Sequence, residues 1–422
     1  MIYLDSVRRL VKAMIPIALF TLSGCALETG PLLRDRVHFN EWIKTTGEQQ
    51  MLLNIVRLRY NDTPSSLAVS SVATQTEVSR SVGLFPFFGV VGGEAQARAA
   101  TRILPQAQVS VSDRPTVTLT PLDDSEFTRK LFTPMTLESV LYLAKTTWPI
   151  ATVFQLFLEN LNWISNGQTG SGPTPTTPPD FERFREGINA LQRLQDRGQI
   201  VFTSELRDEP ISAPIGTDKL SAADLIEAAK NSFEYRPIEG TLTSILMKKR
   251  PQPMMRIDPT ALESSDMAVF AGAFMLQRNR AAFDITIERL DPFFSSSKKP
   301  SVDLIDLETR SLLQVLYFLS KGVEVPRAHS VRRIVQDSAD ASGTKFDWRI
   351  LTKGLFEVAS DCSAEPGERA FVAVRYLDCW YFIDRRDQQS LSTFSLLQEV
   401  ARLENNARPG SAPTLTIPLS GR

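Results

Sequence analysis

Apolar positions recur at helical spacing in some stretches and alternate in others, and this divides the chain into predicted elements. From about Phe39 to Tyr60, the residues Met51, Leu52, Ile55, Val56 and Arg59 fall on one helical side, and Asn61-Asp62-Thr63-Pro64 stops the helix. Ser66 to Ser81 reads as a strand in which Val72, Thr74, Thr76 and Val78 hold one phase. A phase slip behind Val69 suggests a bulge. Ile103, Pro105, Ala107, Val109 and Val111 alternate with polar residues through Ser112, giving a strand with one apolar face. The apolar, Gly-rich tip Val82 to Gly93 lies between them, so the whole is a candidate long β-hairpin.

Further along, Thr133-Pro134 opens a helix with Leu137, Val140, Leu141 and Ala144 on one face. Trp148-Pro149 opens another, with Val153, Phe154, Phe157, Leu158 and Leu161 as its apolar side. Gly167 to Pro179 is poor in core-forming residues and reads as a linker or surface loop. Asp180 to Arg197 is a charged amphipathic helix carrying Phe184, Ile188, Leu191 and Leu194. Helices also fit Ser221 to Ser232 and Thr309 to Lys321; the latter turns Leu312, Leu313, Leu316, Tyr317 and Leu319 towards a core. Strands fit Thr241 to Ile257 and Asp284 to Leu290. The tail holds a three-strand meander, a helix from about Ser390 to Glu404, and an alternating strand, Thr414 to Leu419. No repeat of fixed period is present. The predicted class is α+β: helices packed on largely antiparallel sheet, with an N-terminal hairpin and a C-terminal meander plus helix.

The opening residues carry an address. Arg8, Arg9 and Lys12 precede the apolar stretch Ala13 to Leu22, which is about half the roughly 20 residues a membrane-crossing helix needs. Leu22-Ser23-Gly24-Cys25 resembles the bacterial lipobox. That resemblance implies diacylglycerol on the Cys25 sulfur, cleavage before it and acylation of the new amine, because stable anchoring takes more than one acyl chain. Arg8-Arg9-Leu10-Val11-Lys12 faintly resembles a twin-arginine signal, although paired basic residues are common in ordinary signals. Ala26, in place of the Asp that favours inner-membrane retention, points by the same resemblance to the outer membrane, facing the periplasm. The expected organisation is a signal peptide at 1–24, a lipidated tether at 25–38, a helix/hairpin/helix region at 39–166, a linker at 167–180 and an α+β region at 181–422.

Composition narrows the classes further. Without residues 1–24 the chain keeps 44 Lys plus Arg against 47 Asp plus Glu, a net charge of −3. That balance offers no footprint for nucleic acid. A hydrophobic fraction of 42% with 23% charged residues suits a folded globular protein. Leu137 to Ile164 is broken by Glu138, Lys145, Pro149 and Glu159, so it does not read as a membrane span. Beyond Cys25 there remain Cys362 and Cys379, in a compartment that permits a disulfide. The meander of Leu355 to Cys362, Ala370 to Tyr376 and Cys379 to Asp384 argues against one. It places the two cysteines at opposite ends, roughly 20 Å apart at about 3.3 Å per residue, whereas a disulfide needs Cα atoms within about 7 Å.

Several blocks together look like those of a family of uncharacterised bacterial cell-envelope proteins. They are Met51-Leu52-Leu53-Asn54-Ile55-Val56-Arg57-Leu58-Arg59-Tyr60, Arg114-Pro115-Thr116, Leu316-Tyr317-Phe318-Leu319-Ser320, Trp380-Tyr381-Phe382-Ile383-Asp384 and Leu415-Thr416-Ile417-Pro418. The resemblance covers most of the mature chain and implies no activity or cofactor.

Candidate chemistry is sparse. The histidines are His38, in the tether, and His329, in a polar loop after Pro326; both read as solvated loop residues. Ser295 and Lys298 have Ser-x-x-Lys spacing, but Pro300 opposes the helix that spacing needs and the companion motifs are missing. Asp123-Asp124, Asp384 with Asp387, and Asp258 read as turn formers. Glu41, Arg57 and Arg59 are candidates for buried ion pairs, or for an Arg facing another subunit. No catalytic, metal or cofactor residue is singled out.

The functional expectation is therefore a lipid-anchored envelope lipoprotein with a non-enzymatic structural, assembly or partner-binding role. Its partners are the bilayer, through acylated Cys25, and an envelope protein or a second copy. Leu84, Phe85, Phe87 and Phe88 are candidate membrane or partner contacts. Two alternatives stand beside it: an envelope hydrolase acting on peptidoglycan or glycan, and a subunit of an export channel that pools the 66–113 hairpins into a closed barrel. Against the barrel, alternation is shared by any half-buried strand, and Pro105 suggests an edge.

Overall fold

A computed structural model describes residues 30–65, 67–91, 98–121, 125–173, 177–287, 303–336, 338–339, 342–405 and 415–418. The chain forms two compact units. One takes residues up to 50, 65–124 and 408–422; the other takes 51–64 and 125–407.

Helix α1, Gly30–Arg59, starts well before the expected end of the tether at residue 38. Pro31 suits a helix start, where its missing N–H costs nothing, and no glycine or proline interrupts residues 32–46. In the first unit β1 (Leu67–Val91) and β2 (Arg98–Pro121) pair antiparallel from Leu67↔Pro121 to Val91↔Arg98. Their register shifts between Val69 and Ser71, where the sequence phase slips. The segment Leu415–Pro418 adds a third strand against Leu119 to Thr116 of β2.

The second unit is α+β. Helices α2 (Ser125–Phe132), α3 (Leu137–Ala144) and α4 (Ile150–Phe157) lead into β3 (Leu158–Leu161) and β4 (Ile164–Ser165). Thr136, not Thr133-Pro134, caps α3 by accepting the Ser139 N–H. The apolar run expected to stay helical through Leu161 changes to strand at Leu158. A fully buried run has no distinguishing period, and here pairing with a distant strand and the Asn166 amide decide it. That amide donates to the carbonyls of Gln155 at 2.8 Å and Leu158 at 2.7 Å.

Next come α5 (Glu182–Asp196), β5 (Ile200–Pro210), β6 (Ile215–Gly216), α6 (Ala222–Lys230), β7 (Phe233–Pro237), β8 (Thr243–Ile257), α7 (Ser265–Ala273), β9 (Ala282–Ile287) and β10 (Leu304–Thr309). The main sheet runs β4-β3-β10-β9-β8-β5, with β6 and β7 also on β8. Its pairings are antiparallel except β9 with β10. As the periodicity predicts, Phe184, Ile188, Leu191 and Leu194 of α5 are buried. Phe184 and Phe270 meet Phe274 edge-on, with ring centroids 5.6 and 5.4 Å away.

The expected linker is partly folded in. Gln168–Ser171 forms a 3-10 turn with Gly170 and Ser171 buried, because a buried arginine uses the Ser171 hydroxyl as an acceptor. Residues 174–176 of that stretch lie outside the described residues. The chain closes with α8 (Leu312–Ser320), α9 (Arg327–Val331), α10 (Arg349–Thr352), β11 (Ala359–Asp361), β12 (Ala370–Tyr376), β13 (Cys379–Asp384) and α11 (Gln388–Asn405). Ser311 and Gln314 form a capping box on α8, and Leu312, Leu316 and Leu319 are buried.

Candidate functional site: a disulfide, a histidine and two tyrosines

Strands β11, β12 and β13 order as β11-β13-β12, with β13 in the middle. This overturns the expected separation of the cysteines. A meander in sequence order puts β12 at the centre, but here β11 pairs directly and antiparallel with β13, Asp361 opposite Trp380. The residue after Asp361 is then brought beside the residue before Trp380. Cys362 and Cys379 are disulfide-bonded, with Cα atoms 4.0 Å apart. Leu377 and Asp378 join β12 to β13 with φ of 44° and 63°, the left-handed pair that a two-residue hairpin turn needs. Cys362 is exposed and Cys379 is buried.

His329 is not a solvated loop residue. It lies on α9, which Pro326 opens, and is 4% exposed. Its Nε2 is 3.7 Å from the Cys379 Sγ. Its Nδ1 is 2.8 Å from the Tyr60 hydroxyl, which is 2.6 Å from the Tyr381 hydroxyl. The rings of His329 and Tyr381 stand edge-on to Tyr60, and Tyr376 packs on Tyr60 at 5.4 Å. Tyr376 donates to Asp62 at 3.0 Å. Burial raises the phenols of Tyr60 and Tyr381 above their usual range. Burial and the Asp62 carboxylate push Tyr376 up to about 12. The hydroxyls therefore stay protonated at neutral pH. A consistent assignment has Tyr381 donating to Tyr60, Tyr60 to Nδ1, and Nε2–H pointing at sulfur.

Sequence reasoning missed this cluster, although Tyr60 closes one of the resemblance blocks and Tyr381 stands second in another. Nothing local joins them to a histidine 269 positions from Tyr60.

A second polar cluster is structural. Arg310, fully buried, donates to Ser171 Oγ at 2.8 Å and to the carbonyls of Gln155, Leu156 and Asn166 at 2.8, 3.2 and 2.5 Å. Its guanidinium lies 4.0 Å from the Phe318 ring centroid. Two of those carbonyls belong to the last turn of α4, where a cation is favoured. Glu159 is raised by burial despite Arg310 nearby, and it accepts from the Gln314 amide. Glu308 is held by Asn160.

The remaining sequence candidates fall as follows. Asp258 accepts from Thr260, Asp384 from Arg386 N and Arg369, and Asp387 from Ser390, so all three shape turns or helix starts. Glu41 is exposed, and Arg57 has Asp62 at 4.0 Å. Cys25, Asp123-Asp124, Ser295 and Lys298 lie outside the described residues. So do the side chains of Leu84, Phe85, Phe87 and Phe88, whose backbones sit opposite Pro105, Leu104, Arg102 and Thr101. Among the described residues no group of three His, Cys, Asp or Glu side chains suits a metal. No described helix is long and apolar enough to cross a membrane.

Surface clefts carry acid–base pairs. One of about 310 Å³ is lined by Glu324, Ser330, Asp347 and Arg349, and one of about 420 Å³ by Arg369, Asp384 and Asp387. Arg349 and Arg369 hold Asp347 and Asp384 at 2.9 and 2.8 Å, and both carboxyls lie below their usual range through those bonds and local backbone N–H groups. Comparison with protein-family models, curated proteins and solved structures finds no match for this chain.

Proposed function

We propose that this chain is an envelope lipoprotein, anchored at the outer membrane by acylated Cys25 and acting by binding a partner. The Cys362–Cys379 disulfide is the observation that supports export most directly. Such bonds persist in oxidising compartments and are rare in the cytosol, and here the two cysteines outside the lipobox are bonded to each other. The paired charges of the clefts fit a recognition surface, since carboxylates held ionised by neighbouring arginines are poor proton donors at neutral pH. The partner is an envelope protein or a second copy of the chain. Cys25→Ser tests the anchor. The variant should leave the membrane fraction and retain its signal segment, whereas unchanged membrane fractionation at the native size would sink the reading.

A second reading, a subunit of an oligomeric export channel, draws on the two-strand ribbon. Among the described residues β1 pairs with β2 alone, and β2 has a second partner only at Thr116 to Leu119. Long open edges of this kind are usually paired or covered, and pairing between copies closes them in a ring. The native mass of the acylated protein in detergent discriminates: rings favour the channel, monomers the simple anchor.

A further inference from the structure

The disulfide has two unlike ends. Cys362 is exposed, at the start of the exposed stretch Ser363, Ala364 and Glu365, whereas Cys379 is 3% exposed. A thiolate attacks a disulfide in line with the sulfur–sulfur bond, from the side away from the leaving sulfur. With Cys379 on the inside, that approach opens to solvent at Cys362. Behind the leaving sulfur stands His329, its Nε2 at 3.7 Å, with Nδ1 engaged by the Tyr60 hydroxyl at 2.8 Å. Tyr381, in turn, lies 2.6 Å from Tyr60. When Tyr60 donates to Nδ1, the proton of a neutral imidazole sits on Nε2, facing the sulfur on which charge develops.

We propose that Cys362–Cys379 is a thiol-exchange site, in which Cys362 is the attacked sulfur and Cys379, assisted by His329, is the leaving and resolving thiol. An external thiolate attacks Cys362 Sγ. The Cys362–Cys379 bond breaks, its electron pair goes to Cys379 Sγ, and the Nε2–H of His329 donates a hydrogen bond to the thiolate formed there. The product is a mixed disulfide on Cys362 and a thiolate on Cys379, which takes a proton from solvent. In the reverse direction the Cys379 thiol loses its proton to solvent, the thiolate held by the Nε2–H attacks Cys362, and the external thiolate leaves. A second external thiolate can instead attack the mixed disulfide, leaving a dithiol in the protein and an oxidised external disulfide. The co-reactant is thus a thiol in one direction and a disulfide in the other. The proposal does not depend on the anchoring role, because it concerns residues of the second unit alone.

The test uses the full mature chain, with reduced glutathione as the probe, acid quenching and peptide mass spectrometry. A glutathione adduct on Cys362 and reversible closure on adding oxidised glutathione are expected. His329→Asn, which removes the Nε2–H, should slow reduction by about tenfold, near the lower end of what a hydrogen bond to a charged group contributes. Tyr60→Phe keeps the ring packing and removes the hydroxyl donor, so it should slow the reaction without moving the adduct; it carries the test if the histidine variant fails to fold. An adduct on Cys379, or rates within about twofold of the native chain in the folded variants, overturns the proposal.

Discussion

Gly322, at the end of α8, occupies a position with no room for a methyl group. A Cβ there would lie 2.4 Å from the Phe356 carbonyl oxygen and 2.7 Å from Thr352 Oγ1. The Gly322 carbonyl also accepts from Val358 N at 3.1 Å, so the local backbone cannot shift cheaply. Gly322→Ala should therefore destabilise the fold by about 1–3 kcal/mol, the usual cost of overpacking, read from the urea midpoint. Arg310 is the opposite case, a large side chain that cannot be shortened. Arg310→Ala strands one hydroxyl, three carbonyls and the nearby Glu159, so the expected loss is about 3–5 kcal/mol. Lys321 adds a pH dependence. It is buried, donates to the Gly172 carbonyl at 3.1 Å and lies over Trp348, and burial lowers its amine to about 7. The unfolded chain, with an ordinary lysine near 10.4, binds more protons between about 7 and 10.4, so this group makes stability rise with pH across that window. In Lys321→Met the urea midpoint should rise less between pH 7 and pH 10 than in the native chain. An identical pH profile would count against the depressed amine.

Among the elements, the helices follow the apolar period most closely. α5 buries the four residues its spacing selects, and Ser311 and Ser221 cap α8 and α6 with the boxes their sequences spell. The departures have particular causes. Leu158 and Leu161 are three apart, as on a helix face, around Glu159 and Asn160, so the strand is not announced until its partner is known. The helix start near Pro31 was hidden by the mixed charge of Arg34, Asp35 and Arg36 behind a proline, which reads as a tether. The three C-terminal strands were each legible, but their order was not, and the order places the disulfide. The disulfide joins positions 17 apart in sequence, a loop whose closure is worth about 3 kcal/mol in the chain-entropy account. Replacing both cysteines with serine should lower stability by about that amount while leaving the β12–β13 pairing intact, measured by urea unfolding and hydrogen exchange.

At the scale of the whole molecule, the proposed export makes a prediction about that bond. The same polypeptide from Ala26 onward, produced in the cytoplasm, should carry two alkylatable thiols at Cys362 and Cys379. The exported form should carry none, as a maleimide mass shift after unfolding will report. Equal labelling of the two forms would separate the disulfide from the compartment. A single unit spanning 51–64 and 125–407 also explains why the Gly- and Thr-rich stretch behaves unlike a linker: part of it supplies a hydrogen-bond acceptor to the buried Arg310.

The sequence by itself determined what is local: which stretches have a helical or alternating face, and the lipobox resemblance around Cys25. Those features depend on neighbours a few residues apart, so a linear reading captures them. Only the tertiary structure decided that β13 lies between β11 and β12, that Cys362 meets Cys379, and that His329 is buried beside Tyr60 and Tyr381. Each of these is a pairing between distant segments. Such pairings are selected by the backbone hydrogen bonds and buried area of the assembled unit, which no local pattern encodes.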